Sequence, residues 1–320
     1  MLALFTANLG TTIAQFAGIA AAGELFGVSK YVSVPIAGVL MVILILRANY
    51  KHVERALLLL TFASLSYVVA LFVVKPDWAA VGQGLIRPTF IVESDFILTV
   101  LAIIGTTITP WAIFYLQASV ADKGVEMKDY GDTKIDVSFG AAWGNVISAF
   151  IIIVTAATLF QEGIVVENAK DAALALEPLA GSWASILFAL GLLGASLLAV
   201  SVLPLSTTYP ICEAFGFERG LNRSPKEAPV FYGSFALIML VGMVIVLIPG
   251  IPLFPIMILS QAMNAILLPV LLILILRLAN DKYIMGEHRN KKLGNILAYG
   301  ITALIMVVTI ILLLEPFLKT

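Results

Sequence analysis

The chain has 320 residues, of which 61% are hydrophobic and 12% are charged, and its formal net charge is −1. Soluble domains are about 45–50% apolar and about 25% charged, so this chain has more apolar surface than a soluble core can bury. The near-neutral charge excludes a basic surface for nucleic acid, and the single cysteine, Cys212, excludes an internal disulfide and a cysteine-based metal cluster. The composition therefore predicts an all-α integral membrane protein that forms a single domain over residues 1–320.

Nine stretches are long and apolar enough to cross a bilayer, since a spanning helix needs about 20 apolar residues and its backbone must satisfy its own hydrogen bonds in lipid. In chain order they are residues 2–26, 31–48, 55–74, 96–120, 137–160, 184–214, 229–249, 253–279 and 293–315. The longest connections, 75–95 and 161–183, contain Trp78 and Trp183 and are typical of short interfacial segments.

The first span is rich in small residues, which favour close helix packing inside a bundle. They are Gly10, Ala14, Gly18, Ala21 and Ala22. We therefore expect this helix to lie in the interior of the bundle.

The basic residues are distributed unequally between alternate loops, and this predicts the orientation. Loops 47–55, 121–136, 216–228 and 277–292 together hold 14 of the 19 Lys and Arg residues. The other five are Lys30, Lys75, Arg87, Lys170 and Lys319. The positive-inside rule makes the four basic loops cytoplasmic. We expect a multi-pass protein of the cell membrane with its N-terminus inside and its C-terminus outside.

A proline lies near the centre of the fourth span, in the segment Gly-Thr-Thr-Ile-Thr-Pro-Trp at 105–111. Proline removes a backbone hydrogen bond, and transporters use such broken helices to bind ions at the bilayer midplane. The freed carbonyls, with Thr106, Thr107 and Thr109, would offer hard oxygen ligands to a small cation. The alternative is a simple proline kink in which the threonine hydroxyls bond back to the preceding turn.

The eighth span carries three polar side chains within about one turn, Ser260, Gln261 and Asn264. Their spacing places Gln261 and Asn264 on one face, and such groups must face protein or water rather than lipid. They are either substrate contacts or hydrogen-bonding residues between helices. The prolines elsewhere in the spans predict kinks; these are Pro204, Pro255 and Pro269.

Acidic residues are absent from the middle of every predicted span. Glu24, Glu213, Asp95 and Asp136 lie near span ends, where we expect solvated or snorkelling positions. A proton-driven carrier usually needs an intramembrane acid or histidine relay, and both histidines, His52 and His288, lie in charged loops. The spans also lack the groups that general acid–base catalysis uses. The pattern predicts a transporter, not an enzyme, with no resident cofactor.

The order of these motifs resembles that of the NRAMP family of divalent-metal transporters over nearly the whole chain. The break at 105–111 lies where the family has a broken sixth helix with a Met-Pro-His signature. The other matching segments are 188–193 and 212–215 (eighth helix), 258–261 with 268–269 (tenth helix) and 281–286 (the short motif after it). The resemblance implies family helices three to eleven of an inverted-repeat bundle like that of the bacterial leucine transporter, with a central site between two broken helices.

Departures from the family's pattern concern its metal ligands. Thr109 stands in place of the metal-binding methionine, a soft ligand, and Trp111 and Leu116 replace two histidines. The resulting Thr-Pro-Trp signature resembles the NRAMP-related magnesium transporters. This implies a hard, partly hydrated substrate ion, Mg²⁺ or Mn²⁺, with Gln261 contributing its amide oxygen in the occluded state.

Two further departures concern proton coupling and the N-terminus. Thr12 and Gln15 stand where the family has the Asp and Glu associated with proton transfer, which implies proton-independent transport driven by the membrane potential. The family's first broken helix, with its Asp-Pro-Gly-Asn signature, and its second helix have no counterpart. The chain is therefore expected to be N-terminally incomplete, or to have lost its principal ion ligand.

Two alternatives to divalent-cation transport stay open. A transporter of the same fold for an amino acid or another small organic substrate would use Trp111, Phe114 and Tyr115 to shape its pocket. A non-transporting, truncated homologue is the second alternative. The partners expected for the favoured hypothesis are the substrate ion and the lipid bilayer.

Overall fold

A computed structural model describes residues 2–46, 62–87, 93–122, 124–221 and 223–318. These residues form helices and no strand. In chain order the helices are α1 (Leu2–Leu25), α2 (Lys30–Leu46), α3 (Ser66–Val74), α4 (Trp78–Ile86), α5 (Ser94–Thr107), α6 (Pro110–Asp122), α7 (Tyr130–Thr155), α8 (Ala169–Leu174), α9 (Glu177–Ala180), α10 (Ala184–Phe215), α11 (Pro229–Leu247), α12 (Leu253–Asn280), α13 (Lys282–Met285) and α14 (Lys292–Leu318). The predicted all-α fold is confirmed.

Seven helical stretches of the described chain are long and apolar enough to cross a membrane, and the bent pair α3–α4 makes eight if it counts as one span. Helix α2 is also apolar but has only 17 residues. The predicted third span, 55–74, lies partly outside the described residues. Five of the basic residues used for the orientation also lie outside them: Arg47, Lys51, Arg55, Lys123 and Lys319. The chain is thus a multi-pass membrane protein, and nine spans stay a prediction.

The segment around Trp78 forms a short helix that bends sharply from the preceding span. Helices α3 and α4 meet at 111°, and Lys75 at the bend adopts a left-handed conformation with φ 50°. The carboxylate of Asp77 caps α4 by accepting hydrogen bonds from the backbone N–H groups of Ala79 and Ala80. Trp78 is exposed, and a short exposed apolar helix of this kind suits the predicted interfacial location.

Helix α1 lies in the interior of the bundle, where it packs against α2, α10, α11 and α12. Ala14, Gly18 and Ala22 are buried, and a Cβ added at Gly18 would overlap the Ser196 hydroxyl on α10. Small residues therefore let α1 approach its neighbours closely. The predicted interior position of the first span is confirmed.

Helix α7 differs from α1 in that most of its side chains are exposed within the described chain, including Ile135, Phe139 and Ile152. Its main contacts are with α3, the adjacent short turn Met127–Asp129 and its own π-helical continuation, Ala156–Phe160. Apolar side chains on such a surface are satisfied by lipid, because lipid tails are as apolar as they are.

The prolines in the other spans have different local effects. Pro204 and Pro269 lie inside α10 and α12, which continue through them. Pro255 is the third residue of α12, and the kink predicted there is wrong. The N–H groups in a helix's first turn have no intrahelical partner, so proline costs nothing at that position.

Candidate functional site

The fourth span is interrupted where Pro110 predicts. Helix α5 ends at Thr107 and α6 begins at Pro110, and Ile108 between them is extended (φ −120°, ψ 95°). The N–H of Ile108 donates to the carbonyl of Ile104 (3.0 Å), and the N–H of Ala112 donates to that of Thr109 (3.2 Å). Pro110 has no N–H, so it cannot donate to the carbonyl of Thr106. The helix is therefore unwound at 108–109, although both halves belong to one span, Ser94–Ala121.

The three threonines of this segment have different environments. Thr106 and Thr107 are exposed within the described chain, and Thr109 is partly buried. The hydroxyl of Thr107 donates to the carbonyl of Ile103 (2.7 Å), which is the back-bonding expected of a proline kink. The break thus combines both predicted features: an unwound turn at Thr109 and one threonine bonded to the preceding turn.

Gly105 fixes the end of α5 directly against α12. A Cβ added at Gly105 would overlap the carbonyl oxygen of Gln261 and lie 2.8 Å from the backbone nitrogen of Ala265. Only glycine allows such close contact between two backbones. This contact joins the turn that precedes the break to the turn of α12 that carries Gln261.

Gln261 and Asn264 hydrogen-bond to each other and to the interior of the bundle. Asn264 is 0% exposed, and its Nδ2 donates to Thr11 Oγ1 on α1 (2.9 Å) and to Gln261 Oε1 (3.2 Å). Gln261 is partly buried, and its Nε2 donates to Ser260 Oγ (3.3 Å). The interpretation of an interhelical hydrogen bond is confirmed for Asn264, and a substrate contact by Gln261 stays a prediction.

A second buried polar group, which the sequence did not predict, joins α1 to α10. Asn8 Nδ2 donates to Thr207 Oγ1 (2.8 Å) and to Ser206 Oγ (3.5 Å). The hydroxyl of Thr12 donates to the backbone carbonyl of Asn8 (2.8 Å). A Ser-Thr-Thr run at 206–208 in an otherwise apolar span is the signal that points to such a group.

Two buried carboxamide oxygens accept no hydrogen bond from the described protein atoms. They are Asn8 Oδ1 and Asn264 Oδ1. An unsatisfied buried acceptor costs about 1–3 kcal/mol. The buried polar groups between α1 and its neighbours therefore contain two hydrogen-bond acceptors without a donor.

The oxygens near the break suit a hard cation. The carbonyl of Thr106, the hydroxyl of Thr109 and the amide oxygen of Gln261 are neutral oxygen ligands, the type that Mg²⁺ and Mn²⁺ accept. Within the described ranges no group of three His, Cys, Asp or Glu residues is arranged to hold a metal. A site formed by these neutral oxygens would hold an ion that keeps part of its water shell.

Two glutamates near the α10–α11 connection have local partners. Glu213, at the end of α10, pairs with Arg219 (3.1 Å) in a partly exposed ion pair. Glu227 accepts hydrogen bonds from the backbone and hydroxyl of Ser224, and these bonds lower the pKa of its carboxyl. Glu213 lies in the last turn of α10, and Glu227 lies in the connection between α10 and α11.

Comparison with known proteins gives one consistent result. A family model described as "Nramp: Natural resistance-associated macrophage protein-like" matches residues 1–315. The protein of Clostridium acetobutylicum named "Divalent metal cation transporter MntH" is 28% identical over 258 residues, which are 79% of this chain and 57% of that protein. The protein of the same name from Bacillus subtilis is 27% identical over 321 residues, 97% of this chain and 72% of that protein. The match thus covers between 57% and 72% of the relatives' length.

Proposed function

The chain belongs to the Nramp family, and we propose that it carries a divalent metal cation, Mg²⁺ or Mn²⁺, across the membrane by alternating access and without proton coupling. It acts as a transporter and not as an enzyme, and the ion is its substrate. The whole chain, residues 1–320, acts as one transporter domain.

The observation that carries the proposal is the contact of Gly105 with the backbone of Gln261 and Ala265. It holds an unwound segment of one span beside a polar turn of another, and transporters build their ion sites from such unwound segments. Thr109 lies four residues beyond this contact. In this proposal Thr106, Thr107, Thr109 and Gln261 line the site, and Asn264 belongs to it through its hydrogen bond to Gln261.

The chemistry of these groups supports a hard ion. Oxygen ligands favour Mg²⁺ and Mn²⁺, whereas a thioether favours softer metals, and Thr109 supplies a hydroxyl where the family has methionine. Mg²⁺ retains several waters when bound, so a few neutral protein oxygens suffice to line its path.

Uncoupled transport is supported by the side chains at the positions associated with proton transfer. Thr12 is buried and its hydroxyl is bonded to Asn8, and Gln15 is partly buried. Neither side chain titrates in the physiological range. In this proposal the membrane potential drives the ion inward.

The test is ion uptake by the purified chain in liposomes with an inside-negative potential. We expect Mg²⁺ and Mn²⁺ to enter, and an excess of unlabelled amino acids not to compete. The Bacillus subtilis relative, reconstituted in parallel, is the positive control for divalent metal transport. Uptake of Cd²⁺ or Fe²⁺ with no response to Mg²⁺ would contradict the assignment of a hard ion.

The proposed orientation has a separate test, because Cys212 is the only cysteine and is buried. Lys128 and Glu177 are exposed and lie in loops predicted to face opposite sides. We expect a membrane-impermeant maleimide added to intact cells to label Glu177→Cys and not Lys128→Cys. Labelling of Lys128→Cys alone would reverse the orientation.

A further inference from the structure

The side chain of Asn264 has both of its donors occupied and its acceptor unused. Its two N–H groups point to Thr11 Oγ1 (2.9 Å) and Gln261 Oε1 (3.2 Å), whereas Oδ1 is buried without a partner in the described structure. A carboxamide that bound a cation directly would present its oxygen to the site. Here Asn264 presents its nitrogen toward Gln261.

Thr11 determines which end of the amide faces Gln261. The hydroxyl proton of Thr11 is donated to the backbone carbonyl of Ala7 (3.0 Å). Thr11 Oγ1 can therefore only accept a hydrogen bond from α12, so the nitrogen of Asn264 must lie on this side. With the Thr11 hydroxyl donated to Ala7, the amide orientation that places the Asn264 nitrogen on Thr11 Oγ1 is the one that makes a hydrogen bond there.

This arrangement places a donor on the oxygen that the proposed function assigns to the cation. A partly positive N–H directed at Gln261 Oε1 repels a cation that approaches the same oxygen. We propose that Asn264 is a positioning residue that holds the Gln261 amide oxygen in the empty site and must release it before a cation binds. The inference rests on the proposed function, because it requires Gln261 to be an ion ligand.

The same contacts connect ion binding to the bundle interior. When Gln261 turns to the ion, Asn264 loses one of its two hydrogen bonds and stays attached to Thr11 on α1. Since α1 packs against α2, α10, α11 and α12, the release occurs at a helix contact in the interior of the bundle. Asn264 thereby links the state of the site to the packing of α12 on α1.

The test compares cation affinity in variants that remove the donor. Asn264→Leu keeps the branched shape of the side chain and removes the donor together with the unsatisfied oxygen, so we expect it to fold. We expect its Kd for Mn²⁺ and Mg²⁺, measured by isothermal titration on the purified protein, to fall by about three- to tenfold, the effect of releasing one competing hydrogen bond. Asn264→Ala, which also lacks the donor, should show the same direction.

Two further variants separate positioning from stability. Asn8→Leu removes the other buried carboxamide with an unpartnered oxygen, but Asn8 bonds to Thr207 and Ser206 and not to Gln261. We expect it to leave the Kd unchanged, whatever its effect on thermal stability. In a Gln261→Ala background, Asn264→Leu should no longer lower the Kd, because the side-chain oxygen to which Asn264 donates is absent.

Each outcome has a definite meaning. Tighter binding in Asn264→Leu that disappears in the Gln261→Ala background supports the inference. Weaker binding in Asn264→Leu would make Asn264 a direct ligand, and unchanged binding would remove it from the site; both overturn the inference and leave the proposed function intact. An unchanged Kd in Gln261→Ala alone would instead remove Gln261 as a ligand, so that the proposed site fails.

Discussion

Replacing Gly105 with alanine is expected to abolish most ion transport, with a loss of more than about tenfold, and to lower thermal stability. The added Cβ would overlap the carbonyl oxygen of Gln261 and lie 2.8 Å from the nitrogen of Ala265. Both neighbours are backbone atoms, so α5 and α12 must move apart. Overpacking of this kind costs about 1–3 kcal/mol, and the shift displaces the break from the Gln261 turn.

The direction of the stability change distinguishes a steric clash at position 105 from the intrinsic helix propensity of alanine. Alanine is about 1 kcal/mol more favourable than glycine inside a helix, so a free α5 would be stabilised by the change. The matched control is Gly140→Ala in α7, where an added Cβ meets no atom within 4 Å. We expect the control to retain transport and to have an equal or higher melting temperature, because its added methyl group meets no neighbour. Equal behaviour of the two variants in the uptake assay would show that the contact has no role.

Replacing Thr109 with methionine is expected to change ion preference more than any other single substitution in the proposed site. A thioether is a soft ligand that favours transition metals, and Thr109 lies in the unwound turn between α5 and α6. We expect Cd²⁺ to compete with Mn²⁺ uptake at concentrations at least about tenfold lower than in the unaltered chain, while Mg²⁺ uptake declines.

The measurement is competition between Cd²⁺ and Mn²⁺ in the same liposomes. Thr99→Met is a matched control, since Thr99 lies in α5 well before the break and its hydroxyl is bonded to the carbonyl of Asp95 (2.7 Å). Only the substitution at the break should gain Cd²⁺ sensitivity. Unchanged competition in Thr109→Met would place the ion path elsewhere.

The parts of the structure that follow from local chemistry were predictable from the sequence. Pro110 lacks an N–H whatever surrounds it, so a kink or a break in the segment 105–111 is predictable, and the structure unwinds residues 108–109. The small residues of the first span predicted its interior position because backbone approach depends on side-chain size alone. The kink at Pro255 was predicted wrongly, since its effect depends on where α12 begins, and helix ends are difficult to locate within one turn.

Contacts between residues distant in sequence were not predictable in the same way. Asn8 and Thr207 are 199 positions apart, and Asn264 and Thr11 are 253 apart. Their polarity in apolar spans indicates buried partners, but only the packing of α1 on α10 and α12 identifies them. The sequence also grouped Gln261 with Asn264 by spacing, whereas the donor and acceptor roles depend on the hydroxyl of Thr11.

Uncoupled transport by this chain is tested by measuring Mg²⁺ or Mn²⁺ uptake while the internal pH is recorded in the same liposomes. We expect an inside-negative potential to drive ion entry and the internal pH to stay constant as the ion accumulates. Acidification in fixed proportion to the metal taken up would contradict uncoupled transport. Liposomes that stay impermeable to both ions, while the Bacillus subtilis relative transports in parallel, would contradict transport by this chain.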